Sequence, residues 1–363
     1  MPTPTLDDLR RHAVARTLVR PTTLTRAIER LGFVQADPIR APARAQDLTL
    51  RDRVAGYVAG DLERRYARLD VHEDFFVNYG FISGRYWTLM HPRRGFDAWD
   101  ASTRRRARAV LAFVRERGSA HPRDVDAHFA HGSVTNYWGG SSNATTHLLD
   151  GMHYRGLLRV VRRANGIRVY AAHRHEPQPR HAAARRARID ALVDVVVRKY
   201  APLPATTLSM LIRRLRYAVP QHRDELADAI ARAHKRLARA RVDGREWYWP
   251  ADENPASDEH APADRVRLLA PFDPIVWDRL RFELLWNWRY RFEAYTPEPQ
   301  RKLGYYALPL VWRDQAIGWA NVGVERGRLR PTFGYIDRAA PRDPLFRRAL
   351  DAELDSVRTF LAL

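Results

Sequence analysis

The 363-residue chain has no cysteine. Disulfides, thiol nucleophiles and thiolate metal sites are therefore excluded together. Lysine is almost as scarce: Lys199, Lys235 and Lys302 are the only ones, so nearly all positive charge is carried by arginine. No apolar run approaches the roughly 18 residues of a membrane span. The N-terminal MPTPTLDDLRRHAVARTLVR also lacks the apolar core of a signal peptide. A cytoplasmic, nucleoid-associated protein with no membrane partner is expected, and nothing in the sequence points beyond a monomer. The phosphate-cradling patterns G-x-x-x-x-G-K-[ST] and G-x-G-x-x-G are missing, as is the nucleophile elbow G-x-S-x-G. Nucleotide-dependent and serine-hydrolase chemistry thus have no support.

What is abundant is arginine. Lysine plus arginine total 62 against 42 acidic residues, a net charge of +20. Such an excess points to a polyanionic partner, nucleic acid first and an anionic membrane surface second. Biased base composition could explain arginine in place of lysine. It does not explain the surplus over Asp and Glu.

The periodicity divides the chain into segments. Residues 5–31 read as two short helices separated by Pro21-Thr22-Thr23. From about 105 to 172, RARAVLAFVRERG, HPRDVDAHFA and SSNATTHLLDGMHYRG read as three helices. LLRVVRRANGIRVYAA then reads as two strands joined by a hairpin turn at ANG. Three helices and a hairpin suggest a winged helix, with a generic helical bundle as the alternative. Residues 187–250 repeat the pattern, ending on VDGREWYWP. ADENPASDEHAPAD (251–264) reads as a linker, and 265–340 as strands broken by RDQ and ERGR turns. The expected fold class is α+β: tandem winged-helix subdomains with a C-terminal antiparallel β-barrel-like domain. The boundaries are an N-terminal region at 1–104, winged helices at 105–175 and 185–250, a β-domain at 265–340 and a closing helix at 341–363.

Few residues invite chemistry. His121, His128, His131 and the HRHE at 173–176 lack metal-ligand spacing and read as solvated, so neither a metal nor an organic cofactor is expected. YWGGSSN (137–143) reads as a loop capping the next helix through Ser142 or Asn143. The aromatic-basic run WDRLRFELLWNWRYRFEAY (277–295) reads first as aromatics packed inward, with base stacking as the alternative. In LGFVQADPIRAPARAQDL (31–48), Gln35 and Asp37 sit two residues apart with Pro38 behind. Alone, an Asp before Pro shapes a turn. The residue types also suit cleavage of an N-glycosidic bond, where a carboxylate stabilises a cationic sugar and takes a proton from water. A neighbouring amide, donor and acceptor at once, can hold that water.

The sequence resembles the winged-helix DNA glycosylases of the AlkZ and YcaQ type. Their Gln-x-Gln or Gln-x-Asp motif after the first helical pair appears here as Gln35-Ala36-Asp37. RLLAPFDPIVWDRLR (267–281) and YRFEAYTPEPQRKLGYYALPL (290–310) are similar to the family's C-terminal signature. The resemblance implies tandem winged helices with a C-terminal β-barrel around duplex DNA, and hydrolytic removal of alkylated purines, interstrand crosslinks through N7-alkylguanine included. It implies Asp37 as catalytic carboxylate and Gln35 as the water-positioning partner. Arg40, Arg44, Gln46 and Arg51, flanking the motif, are candidate DNA contacts. The sequence departs from the family where crosslink-type members carry a His-His pair, having Gln46-Asp47 instead. It departs again at FFVNYGFISGRYW (75–87), with MHP at 90–92 shifted from the family's His-hydrophobic-Pro element. A non-catalytic DNA-binding protein is the alternative reading.

Overall fold

Asn165-Gly166 and Asp243-Gly244 take positive φ at both positions, 50° and 83° in the first pair and 47° and 75° in the second. Two consecutive left-handed residues are what a tight hairpin turn needs, and Asn-Gly and Asp-Gly adopt them with least strain. In the computed structural model, which describes residues 3–18, 20–135 and 141–363, these pairs close two antiparallel hairpins. One joins Leu158–Ala164 to Ile167–Ala172 and the other joins Ala238–Val242 to Arg245–Trp249. Among the described residues no helix is long and apolar enough to cross a membrane.

The chain divides into two compact, discontinuous units. One comprises Met1–Leu62, Val193–Ile212 and Ile230–Leu363; the other comprises Glu63–Leu192 and Arg213–Ala229. In the second unit, helices Ala101–Glu116, Pro122–Phe129 and Ala144–Tyr154 precede the 158–172 hairpin, in the expected order. The His121 ring caps Pro122–Phe129 by accepting from the Arg123 N–H at 3.1 Å, with Pro122 in the first turn where no amide donor is missed. Asn143 caps Ala144–Tyr154 through the Thr146 N–H at 2.9 Å; residues 137–140 of the YWGGSSN stretch lie outside the described residues. Val110, Val114, Val125, Leu149, Met152, Leu158 and Val169 form the buried core.

This unit also contains a hairpin that the sequence did not announce, Val71–Phe75 against Tyr79–Ser83, followed by helix Gly84–Met90. Its first strand buries two consecutive carboxylates, Glu73 and Asp74, which erases the alternation that marks a strand. Both are hydrogen-bonded. Asp74 accepts from Trp87 Nε1 at 2.8 Å, His91 Nε2 at 2.6 Å and Arg93 Nη1 at 2.9 Å. Glu73 takes two bonds from Arg163, at 2.9 and 2.6 Å. The expectation of solvated histidines at 173–176 is corrected here. The His173 and His175 rings lie 4.9 and 4.5 Å from Trp87, and His175 stacks on His91 at 4.3 Å.

In the first unit, helices Leu6–Thr17 and Leu24–Leu31 begin on Thr5 and Thr23, whose hydroxyls accept from the backbone N–H groups of Asp8 and Arg26, each three residues on. The 251–264 stretch is not a loose linker. Its Glu253 is bonded to His12 at 2.8 Å and to Arg16 at 2.8 and 2.7 Å. The C-terminal strands Val266–Leu268, Leu308–Trp312, Gln315–Glu325 and Arg328–Tyr335 lie side by side in chain order, all antiparallel. The barrel expectation is corrected: the described strands form an open four-stranded sheet. Closure is not needed to protect its first edge, because the Leu268 N–H donates to Glu353 of the terminal helix Pro344–Leu361 at 2.8 Å.

Candidate catalytic site

The site begins where helix Leu24–Leu31 stops. Gly32 takes φ +66°, a conformation that a side chain would strain. The three-residue strand Phe33–Gln35 follows, then the loop 36–44, then helix Ala45–Arg51. The stop, the strand and the loop together place Gln35 and Asp37 in one unit with the C-terminal signature.

Gln35 is buried, and its Oε1 accepts from Trp277 Nε1 at 2.6 Å. An indole N–H can only donate, so it fixes which end of the amide is the carbonyl and turns the NH2 end away from the indole. Trp277 packs its ring 5.2 Å from Tyr200. The signature segment thus orients the motif, a role that sequence reasoning did not assign to Trp277. The signal for it was the position of Trp277 inside the long C-terminal match.

Asp37 is half-buried. Its Oδ1 accepts from the Ile39 N–H at 2.9 Å, the turn that Asp-Pro was expected to make, and its own N–H donates to Gln46 Oε1 at 3.3 Å. Among the described residues no cation pairs with it. Burial raises its pKa above the usual carboxylate value, and the Ile39 amide only partly opposes this. A carboxylate whose proton affinity is raised by burial is a better proton acceptor than an ordinary Asp.

Gln46 and Arg51, expected to meet DNA, are buried instead. Gln46 serves the Asp37 backbone. Arg51 is bonded to Glu353 at 2.6 Å and to the Leu268 carbonyl at 3.3 Å, which ties the helix after the motif loop to the terminal helix and the sheet edge. Arg40 is exposed and Arg44 half-exposed, as phosphate contacts require. The departure at Gln46-Asp47 also has a structural account. Asp47 is buried and accepts from the Tyr57 hydroxyl at 2.7 Å and the Gly60 N–H at 3.1 Å, so Gln46 braces the motif loop and Asp47 the 57–60 segment after the helix.

A group of aromatic residues from 290–306 shares this unit. Phe292 lies 5.3 Å from Tyr306 and 6.0 Å from Tyr295, both edge to face. Tyr290 donates to the Ala307 carbonyl at 2.7 Å. The inward packing expected of WDRLRFELLWNWRYRFEAY holds for Phe282, Leu285, Trp286 and Tyr290, all buried, whereas Tyr295 stands exposed.

A family model described as DNA glycosylase AlkZ-like matches residues 28–360, enclosing both the Gln-x-Asp motif and the C-terminal signature. Among solved structures, the chain is similar to Streptomyces sahachiroi DNA glycosylase AlkZ, with a TM-score of 0.64 and 13% identity, over 99% of this chain and 97% of that chain. At that identity the likeness concerns the fold. The family match spans nearly the whole sequence, and the chain belongs to the AlkZ-like DNA glycosylase family.

Proposed function

We propose that the chain is a hydrolytic, monofunctional DNA glycosylase. It releases alkylated purines, N7-alkylguanine monoadducts and interstrand crosslinks built on them, from duplex DNA. The observation that carries this reading is Asp37: a half-buried carboxyl with a raised pKa and, among the described residues, no paired cation, two residues from an amide held in one orientation. In the reaction, the C1′–N9 bond breaks and its electron pair goes to the purine, whose N7-alkyl charge it neutralises. The departing base therefore needs no proton. The water oxygen bonds to C1′ and its proton passes to Asp37, while the carboxylate stabilises the cationic sugar. Gln35 presents its NH2 end to hold the water in line.

The helix-helix-helix-hairpin order at 101–172 supports a winged-helix reading, and the net charge of +20 supports duplex DNA as the partner. Arg40 and Arg44 are placed to meet phosphates, with the enzyme acting as a monomer. The test is release of N7-methylguanine, and unhooking of a nitrogen-mustard crosslink, by wild type, Asp37→Asn and Gln35→Ala. Wild type is expected to release base, Asp37→Asn to fall to background and Gln35→Ala to be strongly slowed. A wild type that binds alkylated duplex and releases no base from it would overturn the reading.

A further inference from the structure

Arg267 sits on Val266–Leu268, the edge strand of the C-terminal sheet, and is only 9% exposed. Its guanidinium makes no hydrogen bond or ion pair among the described residues. Arginine is almost never buried without a partner, because its lost hydration then goes uncompensated. The side chain lines a cavity of about 360 Å³, formed by the 51–57 segment, this strand and the terminal helix Pro344–Leu361.

Charge in the cavity is unbalanced. Arg51, Arg265 and Arg267 line it together with Asp52 and Glu353, three guanidiniums against two carboxylates. Both carboxylates are engaged by Arg51, whose Nη2 lies 2.6 Å from Glu353 Oε1 and 3.4 Å from Asp52 Oδ1. Burial works against the charge of both buried arginines. At Arg51 the Asp52 and Glu353 charges outweigh it and raise the pKa. At Arg267 they do not: the pKa stays lowered, with Arg265 adding repulsion. Two more donors, Arg51 Nε and Nη1, are buried with no hydrogen-bond partner among the described residues. Arg265 and Ser356 are exposed residues lining the same cavity.

Such a set calls for an anion that accepts several hydrogen bonds at once. A guanidinium fork matches the oxygens of a phosphate with two parallel bonds, and the cavity has room for a phosphate with the sugar that carries it. We infer that this cavity is a phosphate-binding site, with Arg267 as its main contact, Arg265 beside it and Arg51 behind. The phosphate is one of the DNA backbone or a free one. The assignment holds whether or not the chain excises bases.

The experiment compares wild type, Arg267→Met, Arg265→Met and, as a control on the terminal helix, Arg347→Met. Thermal unfolding is followed with increasing inorganic phosphate, ionic strength being held constant with chloride. Affinity for an undamaged duplex is measured across salt. A phosphate that binds the folded state raises the melting temperature. Arg267→Met should weaken binding about tenfold or more, as expected for hydrogen bonds between charged groups; exposed Arg265→Met, which leaves the fold undisturbed, should weaken it less. Without phosphate, the melting temperature of Arg267→Met should hold or rise, because an uncompensated buried charge has been removed. If the site takes backbone phosphate, Arg267→Met also weakens duplex binding and lowers the salt slope by about one. If it takes free phosphate, only the phosphate response is lost. The inference is overturned if Arg267→Met and Arg265→Met keep both the phosphate response and the duplex slope of wild type. Equal losses in Arg347→Met, which would mark general attraction to a basic surface, overturn it as well.

Discussion

Replacing Lys199 with Met should stabilise the protein near neutral pH, and by an amount that shrinks as pH rises. Lys199 is 1% exposed, and burial, with help from the Arg53 charge, drives its ammonium from 10.5 down to about 7. Its Nζ donates to the Phe33 carbonyl, in the strand that leads to Gln35. The sign follows from proton counting. The unfolded lysine stays protonated up to its ordinary value, the folded one loses its proton near 7, and stability therefore rises with pH between the two. At about pH 7 the unfolded side chain is fully charged and the folded one half charged, a penalty of about 4 kcal/mol; near pH 9.5 it has fallen to about 1 kcal/mol. Met keeps the length and removes the charge, while losing the bond to Phe33 works against it by about 1–3 kcal/mol at every pH. Lys199→Met should thus gain about 1–3 kcal/mol near pH 7, and that advantage should drop by about 3 kcal/mol by pH 9.5. Urea unfolding of both proteins across this range measures the difference. Parallel stability curves, or an advantage that grows with pH, would refute the reasoning.

Two further outcomes are expected. Trp277→Phe removes the donor that orients Gln35, so excision should slow by about two- to tenfold from the lost hydrogen bond, with duplex affinity unchanged; a matching loss of affinity would place Trp277 in binding instead. In the Glu63–Leu192 segment, burial holds His72 and His91 at about 4. Both stay neutral when folded and take up protons when unfolded, so their stability contribution is present above about pH 6.5 and is lost as pH falls toward 4. The amount for His91 is about 3 kcal/mol. Amide exchange in the 71–83 hairpin should quicken over that interval, with the denaturation midpoint falling alongside; protection independent of pH would contradict it.

The local elements were legible because each had its own chemical marker. Thr5, Thr23 and Asn143 cap helices; Asn165-Gly166 and Asp243-Gly244 close hairpins; Gly32 ends the helix before the motif. Gln35 and Asp37 were visible as a pair suited to glycosidic cleavage, and the resemblance to the AlkZ type rested on long quoted stretches at both ends of the chain. The family match bears out that resemblance. What the sequence could not show is where long-range partners fall. Nothing in the sequence marks Glu73 and Asp74, which Arg163, His91, Arg93 and Trp87 bond in the fold. Arg51 reads as a phosphate contact until Glu353, some 300 positions away, claims it. A charged side chain looks the same in sequence whether water or a buried counter-ion satisfies it. Only the tertiary structure decides which, and it also decides that Trp277 orients Gln35. The sequence by itself determined the types of group available for chemistry and the short-range turns that carry them. Their burial, orientation and pairing, which set proton affinity and reactivity, came from contacts that no local pattern encodes.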